Sequence, residues 1–452
     1  MAAKFDHLTE VDSCSENKKK STAEKAKKCA KPTPGATMGG CAFDGAQIVL
    51  LPVGDAAHLI HGPATCVSQN WNNRGSRNLH GQCYKMGFST DVTEMDVVFG
   101  GEKKITDKCV EIAGRYPVKA IFVYTTCVTA MIGDDVPTAC KKAAELTGIP
   151  VIPVESPGFI GNKNFGNKIA GDALLEYVIG TKEPEKTTEY DINIIGDYNI
   201  AGELWQMMPV FRELGINVLS SLTGGTSYDE IAYAHRAKCT LVICSKALLT
   251  LAEGLKRRYG IPFAEGSFYG LGEIEKTLLS VADMLGSDEL RAKIHSYVER
   301  KNAETLAEIA PYNAVLKGKR VFVYTGGVKS WSTIYQLEEL GMDVIGTSTR
   351  KSTEQDIEKI REHFEGTQKM LLEKGDGRIL LNILQKERAD LLLAGGRNMY
   401  TSIKGRYPFV DVNQERIHGY AGYTGMIELA KQLAYTLASP VWEVAKRKAP
   451  WE

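Results

Sequence analysis

From about residue 118 the chain alternates short apolar runs with stretches of helical periodicity. Lys119-Ala-Ile-Phe-Val-Tyr-Thr-Thr126 shows almost no polar alternation, the pattern of a strand covered on both faces. A helical stretch ending at Glu145-Leu146-Thr147-Gly148 follows, then a second apolar run, Pro150-Val-Ile-Pro-Val154. Asp191-Ile-Asn-Ile-Ile-Gly196 restarts the pattern through a helix over Leu204–Leu214, Gly215 as its C-terminal cap, and a strand over Ile216–Leu219. Arg320-Val-Phe-Val-Tyr-Thr-Gly-Gly327 restarts it again through Ile334–Leu340, Gly341 and a strand over Asp343–Gly346. Buried strands alternating with helices predict parallel sheets with helices on both faces. The expected fold is α/β: three doubly wound, Rossmann-like domains over residues 41–188, 189–316 and 317–452. Residues 1–40 break the pattern. They cluster Lys18–Lys20, Lys25, Lys27 and Lys28 before Pro32 and Pro34, and read as a basic, solvated, flexible arm.

Doubly wound domains bind ligands beyond the carboxyl ends of their strands. Those ends here carry Cys127, Gly196-Asp197-Tyr198, Cys244-Ser245-Lys246, Thr325-Gly326-Gly327-Val328-Lys329 and Ala394-Gly395-Gly396-Arg397-Asn398. A cleft lined by such groups would hold a multiply charged anion. The glycine pairs alternatively serve only tight turns. No strand is followed by G-x-G-x-x-G, and no G-x-x-x-x-G-K-[ST] occurs, so neither dinucleotide nor P-loop chemistry has its fingerprint.

The 55 Lys and Arg balance the 55 Asp and Glu, which argues against nucleic acid or an anionic membrane as partner. No apolar run approaches a membrane span and no leader-like segment opens the chain, so a cytoplasmic protein is expected. In a reducing compartment ten cysteines are not a disulfide framework, which leaves buried thiols and metal ligands. Cys109, Cys140 and Cys239 sit inside periodic apolar segments and suit the core. Cys41, Cys66 and Cys127 stand where loops meet strand or helix ends, beside Gly and Pro or a strand terminus. Soft metal clusters favour thiolates at such places. Their spacing fits neither ferredoxin pattern, there is no C-x-x-C, and three thiolates are one short of a usual cubane set.

Taken together, Gly-Gly-Cys41-Ala-Phe-Asp-Gly-Ala, His61-Gly-Pro-Ala-Thr-Cys66, Cys127-Val-Thr-Ala-Met-Ile-Gly-Asp-Asp135, Tyr198-Asn-Ile-Ala-Gly-Glu203 and Gly395-Gly-Arg-Asn-Met-Tyr400 resemble the nitrogenase component 1 family. The likeness runs from about Pro32 to Trp451. Within the family the chain is similar to the α-type subunit of the scaffold that matures the iron-molybdenum cofactor. The resemblance implies that Cys41, Cys66 and Cys127 bind a 4Fe-4S cluster completed by a ligand from a partner chain. It also implies that Cys244 anchors a transiently bound iron-sulfur precursor while molybdenum and homocitrate are added.

Departures from the catalytic pattern define the remaining expected contacts. Asn413 stands where the catalytic subunit has the histidine that binds molybdenum, and Asn167 where it has the histidine that assists substrate reduction. An amide is a poor ligand for such a metal and a poor proton shuttle near neutral pH. Lys329, after Gly326 and Gly327, replaces an arginine and keeps the charge without bidentate geometry. Arg74 matches another arginine near the cofactor cavity. The implied partners are NifN in an α2β2-type heterotetramer, the iron protein NifH as electron donor, NifB as precursor donor and catalytic component 1 as recipient. The competing reading is a catalytic α subunit of a nitrogenase-like reductase. It requires a replacement ligand, for which His418, Cys140 and Cys239 are the unassigned candidates. A nucleotide-dependent enzyme with structural cysteines is a third reading. His418 lies in a loop rich in Gly and aromatics, and a packed or hydrogen-bonded role suits it better than metal binding.

Overall fold

The computed structural model describes residues 40–71, 77–79, 86–243, 245–325, 330–349, 352–373, 377–413 and 417–447. Three parallel sheets organise them. The first contains β1 (Ala56–His61), β2 (Gly87–Ser89), β3 (Ala120–Thr125) and β4 (Val151–Val154) in the order β2-β1-β3-β4. The second repeats that order with β5 (Asp191–Ile195), β6 (Asn217–Leu222), β7 (Cys239–Val242) and β8 (Phe263–Glu265), as β6-β5-β7-β8. The third has β9 (Arg320–Tyr324), β10 (Asp343–Ser348), β11 (Met370–Leu372), β12 (Leu391–Ala394) and β13 (Phe409–Asp411), as β11-β10-β9-β12-β13. In each sheet the winding reverses beside the first strand, so switch points lie between β1 and β3, β5 and β7, and β9 and β12.

One sheet falls in each of the three expected ranges. Contacts nevertheless group the chain into two compact units, one holding the first two sheets up to Glu265 and the other holding Ala201–Val210 and everything from Gly266 on. The helices Leu271–Leu285 and Asp288–Leu316 belong to the second of these because both pack on the helix Gly422–Ala438.

The first sheet shows why its strands form. Ala57, Leu59, Ile121 and Val123 point to one face, against Ile105, Cys109 and Ile112 of the helix Glu102–Arg115 and Val136, Ala139, Cys140 and Ala143 of the helix Val136–Thr147. Gly148 and Gly215 end their helices with left-handed φ of +70° and +82°, as their positions predict. The opposite face of the sheet carries His58, stacked on Phe122, and Tyr124, which receives the edge of Phe43 from the helix Ala42–Leu50. Hydrophobic periodicity starting near residue 118 misses β1, because His58 and His61 interrupt its apolar run. Both histidines are fully buried; His58 Nδ1 pairs with the Tyr124 hydroxyl at 2.8 Å while its Nε2 has no hydrogen-bond partner, and His61 is held by neighbours described below. Among the described residues no helix is long and apolar enough to cross a membrane.

Burial lowers the His58 pKa from 6.5 to about 4, against a smaller opposing effect of the Val53 backbone. The unfolded chain therefore takes up a proton below about pH 6.5 that the folded chain refuses until about pH 4. The contribution is present above the unfolded value and is lost as pH falls. From pH 7 to pH 5 this group should cost about 2 kcal/mol of stability. Denaturant unfolding of His58→Phe should show a flatter profile over that interval; an unchanged slope would contradict the assignment.

Candidate metal-cluster site

The helix Ala42–Leu50 begins immediately after Cys41, whose extended backbone (φ −93°, ψ 179°) supplies its N-cap. This helix crosses the helix Lys163–Tyr177 backbone to backbone. A Cβ on Gly45 would overlap the Lys163 carbonyl oxygen, and one on Gly166 would overlap the Ala42 carbonyl oxygen. The Gly-Gly-Cys-Ala-Phe-Asp-Gly motif is thus partly a packing requirement. Cys41 also forms a bridge with Asn162, flanked by Ala42 N–H donating to the Gly161 carbonyl (3.0 Å) and Lys163 N–H donating to the Gly40 carbonyl (3.2 Å).

The other two cysteines arise at the first switch point. β1 ends at His61, and Gly62-Pro63 leads into the helix Ala64–Trp71, with Cys66 in its first turn. β3 ends at Thr125, and after Thr126 as N-cap Cys127 opens the helix Cys127–Ile132. The third wall is Gly158, buried in the loop after β4. A Cβ there would lie 3.0 Å from Cys41 Sγ and 3.1 Å from Cys127 Sγ, so both sulfurs face this glycine and lie within twice that distance of each other. Burial raises the Cys66 thiol pKa, and Cys127 and Cys41 beside it raise it further. The three thiols are therefore one electrostatic group. Cys127 is exposed, whereas Cys41 and Cys66 are half-buried.

Among the described residues no set of three or more His, Cys, Asp or Glu side chains is arranged to enclose a single metal ion. A polynuclear cluster asks for something different: sulfurs spread around a volume, each reaching a different iron. Two thiols facing Gly158 and a third, Cys66, close enough to interact with both, are soft donors whose mutual repulsion a cationic core would relieve, and they fit that requirement.

The remaining candidates divide. Asn167 is 4% exposed in the helix Lys163–Tyr177, and its Oδ1 has no hydrogen-bond partner. Asn413 follows β13. Its N–H donates to Asp411 Oδ1 at 2.7 Å, and its Nδ2 lies 3.1 Å from where a Gly395 Cβ would be, so the amide occupies the space beside the β12 terminus. The two asparagines belong to different compact units. Arg74, Cys244, Gly326, Gly327 and Lys329, like the arm up to residue 39, lie outside the described residues. His418 is engaged locally: its Nδ1 lies 3.4 Å from Glu428 Oε1, and its loop is pinned by Gln206 Nε2 donating to the Gly419 carbonyl (3.2 Å) and Gln336 Nε2 donating to the Tyr420 carbonyl (2.9 Å). Cys109, Cys140 and Cys239 are at most 1% exposed, and burial pushes the Cys109 and Cys239 thiols up to about 12, the state of inert core thiols.

Gly158 contributes to the site although no motif in the sequence includes it. Pro157-Gly158 was visible as a turn signal, but nothing local told that its missing Cβ faces two sulfurs.

Three parallel doubly wound sheets, with Cys66 and Cys127 following the two strands at the first switch point, define a protein of α/β class. The chain belongs to the family of nitrogenase component 1 type oxidoreductases, whose model matches residues 41–438. It is 52% identical to the nitrogenase iron-molybdenum cofactor biosynthesis protein NifE of Nostoc sp. (strain PCC 7120 / SAG 25.82 / UTEX 2576), over 99% of this chain and 94% of that protein. It is 44% identical to the protein of the same name from Klebsiella pneumoniae, over 98% of each. Among solved structures it is similar to one described as nitrogenase Cp1 at pH 6.5, with a TM-score of 0.83 and 26% identity over 93% of both chains.

Proposed function

We propose that this chain acts in biosynthesis of the nitrogenase iron-molybdenum cofactor, as the α-type subunit of a scaffold that holds an iron-sulfur precursor, lets molybdenum and homocitrate be added, and then releases it. The observation that carries the reading is the contrast between two kinds of site. Cys41, Cys66 and Cys127 form an all-sulfur set anchored on rigid elements, suited to keeping a resident cluster. Asn167 and Asn413 offer only amides where firm metal binding or proton transfer would call for imidazole.

In this reading the three cysteines hold a 4Fe-4S cluster whose last ligand comes from a NifN partner across the exposed Cys127 side, in an α2β2-type heterotetramer. When bound, that cluster supplies one-electron transfer, with electrons delivered by NifH. The chain's own residues hold it: the Gly45–Gly166 crossing fixes Cys41, and the β1 and β3 termini fix Cys66 and Cys127. The precursor, delivered by NifB, is cargo. Cys244 is its anchor, with Arg74, Gly326, Gly327 and Lys329 as the further contacts the resemblance implies, and the amides of Asn413 and Asn167 are poor ligands where the resemblance implies histidines. Weak contacts at that end favour transfer to catalytic component 1.

A catalytic α subunit would need a ligand to replace the missing imidazole. His418 is held by Glu428, and Cys140 and Cys239 are buried in sheet cores, which favours the scaffold. Asn413→His tests the reading. One added metal–ligand contact worth about 1.4 kcal/mol slows cargo release about tenfold. The variant complex should keep more iron and molybdenum after purification and activate a cofactor-deficient catalytic component more slowly. Unchanged retention would contradict the role given to position 413, and dinitrogen reduction by the wild-type complex at nitrogenase rates would contradict the scaffold.

A further inference from the structure

His61 ends β1 and makes contacts in two directions. Its carbonyl accepts from Thr126 Oγ1 at 3.0 Å and from Thr129 Oγ1 at 2.9 Å, the hydroxyls at the start of the helix that Cys127 opens. Its fully buried ring has Nε2 2.8 Å from Asp134 Oδ2 and Nδ1 3.1 Å from Thr90 Oγ1. Asp134 lies just beyond the same helix, and its Oδ1 accepts the Gly101 N–H at 3.0 Å. Thr90 Oγ1 in turn accepts the Gly62 N–H at 3.1 Å, where the chain sets out toward Cys66.

With the ring neutral, these contacts run in one direction of donation. A carboxylate only accepts, so Nε2 carries the ring proton; Nδ1 then accepts from the Thr90 hydroxyl, whose oxygen accepts from Gly62. Burial lowers the His61 pKa despite Asp134, which keeps the ring in this neutral form. There is no slack in the arrangement: a Cβ on Gly101 would lie 2.9 Å from both Asp134 Oδ2 and His61 Cε1. One residue, through its carbonyl and its ring, thus ties the Cys66 approach to both ends of the Cys127 helix.

We propose that Thr90, His61 and Asp134 form a positioning chain for the thiolate site, fixing the segments of Cys66 and Cys127 relative to each other and placing a buried negative charge behind them. The inference rests on the cluster reading above for its spectroscopic consequences, but its geometric content stands apart. Hydrogen-bonded groups behind metal ligands commonly govern affinity by tenfold or more.

The test uses Asp134→Asn and Thr90→Val in the complex with its partner chain. Both should lose iron to a ferrous chelator about tenfold faster than wild type and change the EPR line shape of the reduced cluster. Asp134→Asn alone should also move the midpoint to more positive potential, because a buried negative charge opposes electron uptake. In the metal-free complex, iodoacetamide should modify Cys66 faster in both variants while Cys239, buried in the second sheet, stays protected. Wild-type iron retention, line shape and Cys66 reactivity in both variants would overturn the proposal even if their melting temperatures fell. So would Cys66 and Cys239 becoming reactive together, which reports general unfolding. If the wild-type complex holds no cluster, the functional reading fails, and selective exposure of Cys66 alone decides the positioning role.

Discussion

Cys66→Ala is expected to abolish iron binding at the proposed three-cysteine site. Burial first, and then its two cysteine neighbours, raise the Cys66 thiol pKa, so without metal its charge is hard to sustain. Cluster binding must displace that proton, which makes affinity rise with pH through the range in which the thiol ionises. Alanine leaves Cys41 and Cys127 on either side of Gly158, two donors where the site provides three. Iron content and visible absorption of the purified complex should fall to background. Cys109→Ala is the control. Its thiol lies in the core between the helices Glu102–Arg115 and Val136–Thr147, so its loss should lower stability by roughly 1 kcal/mol and leave the iron in place. Retention of iron by Cys66→Ala would remove that residue from the ligand set.

Gly166→Ala is expected to have the largest effect on stability of any single methyl addition in the first unit. The added Cβ meets the Ala42 carbonyl oxygen and, at 2.8 Å, the Ala46 nitrogen; both are backbone atoms that no rotamer change can move. The helices must separate, at a cost of about 3 kcal/mol, the upper end for overpacking. Separation also draws Asn162 away from its bridge with Cys41, so iron content should drop with the melting temperature. Gly114→Ala supplies the contrast. That glycine lies in the helix Glu102–Arg115 with no neighbour within 4 Å of a new Cβ, so alanine should stabilise by about 0.5–1 kcal/mol. A wild-type melting temperature for Gly166→Ala would contradict the crossing.

How much of this was legible beforehand depends on whether the signal is local. β3 and β9 are readable because their centres are continuous apolar runs, and β5 because Ile192, Ile194 and Ile195 dominate a short run ended by Gly196. β1 is not, since two of its six residues are histidines whose burial makes sense only with Tyr124 and Asp134 alongside. The three cysteines could be picked out by their positions at loop ends, but their grouping depends on a crossing of glycines and on Gly158, contacts between segments distant in the chain. The helices from Leu271 to Leu316 show the same limit. Their sequence continues the second repeat, whereas their packing partner is the helix Gly422–Ala438 near the far end of the chain.

The central claim is that Cys41, Cys66 and Cys127 hold a resident iron-sulfur cluster shared with a partner chain. Iron and acid-labile sulfide analysis of the anaerobically purified complex, with EPR after dithionite reduction, tests it most directly. The account predicts stoichiometric iron and sulfide and a reduced-cluster signal that disappears in Cys66→Ala. Wild-type complex without bound iron, or a signal that survives that substitution unchanged, would contradict it.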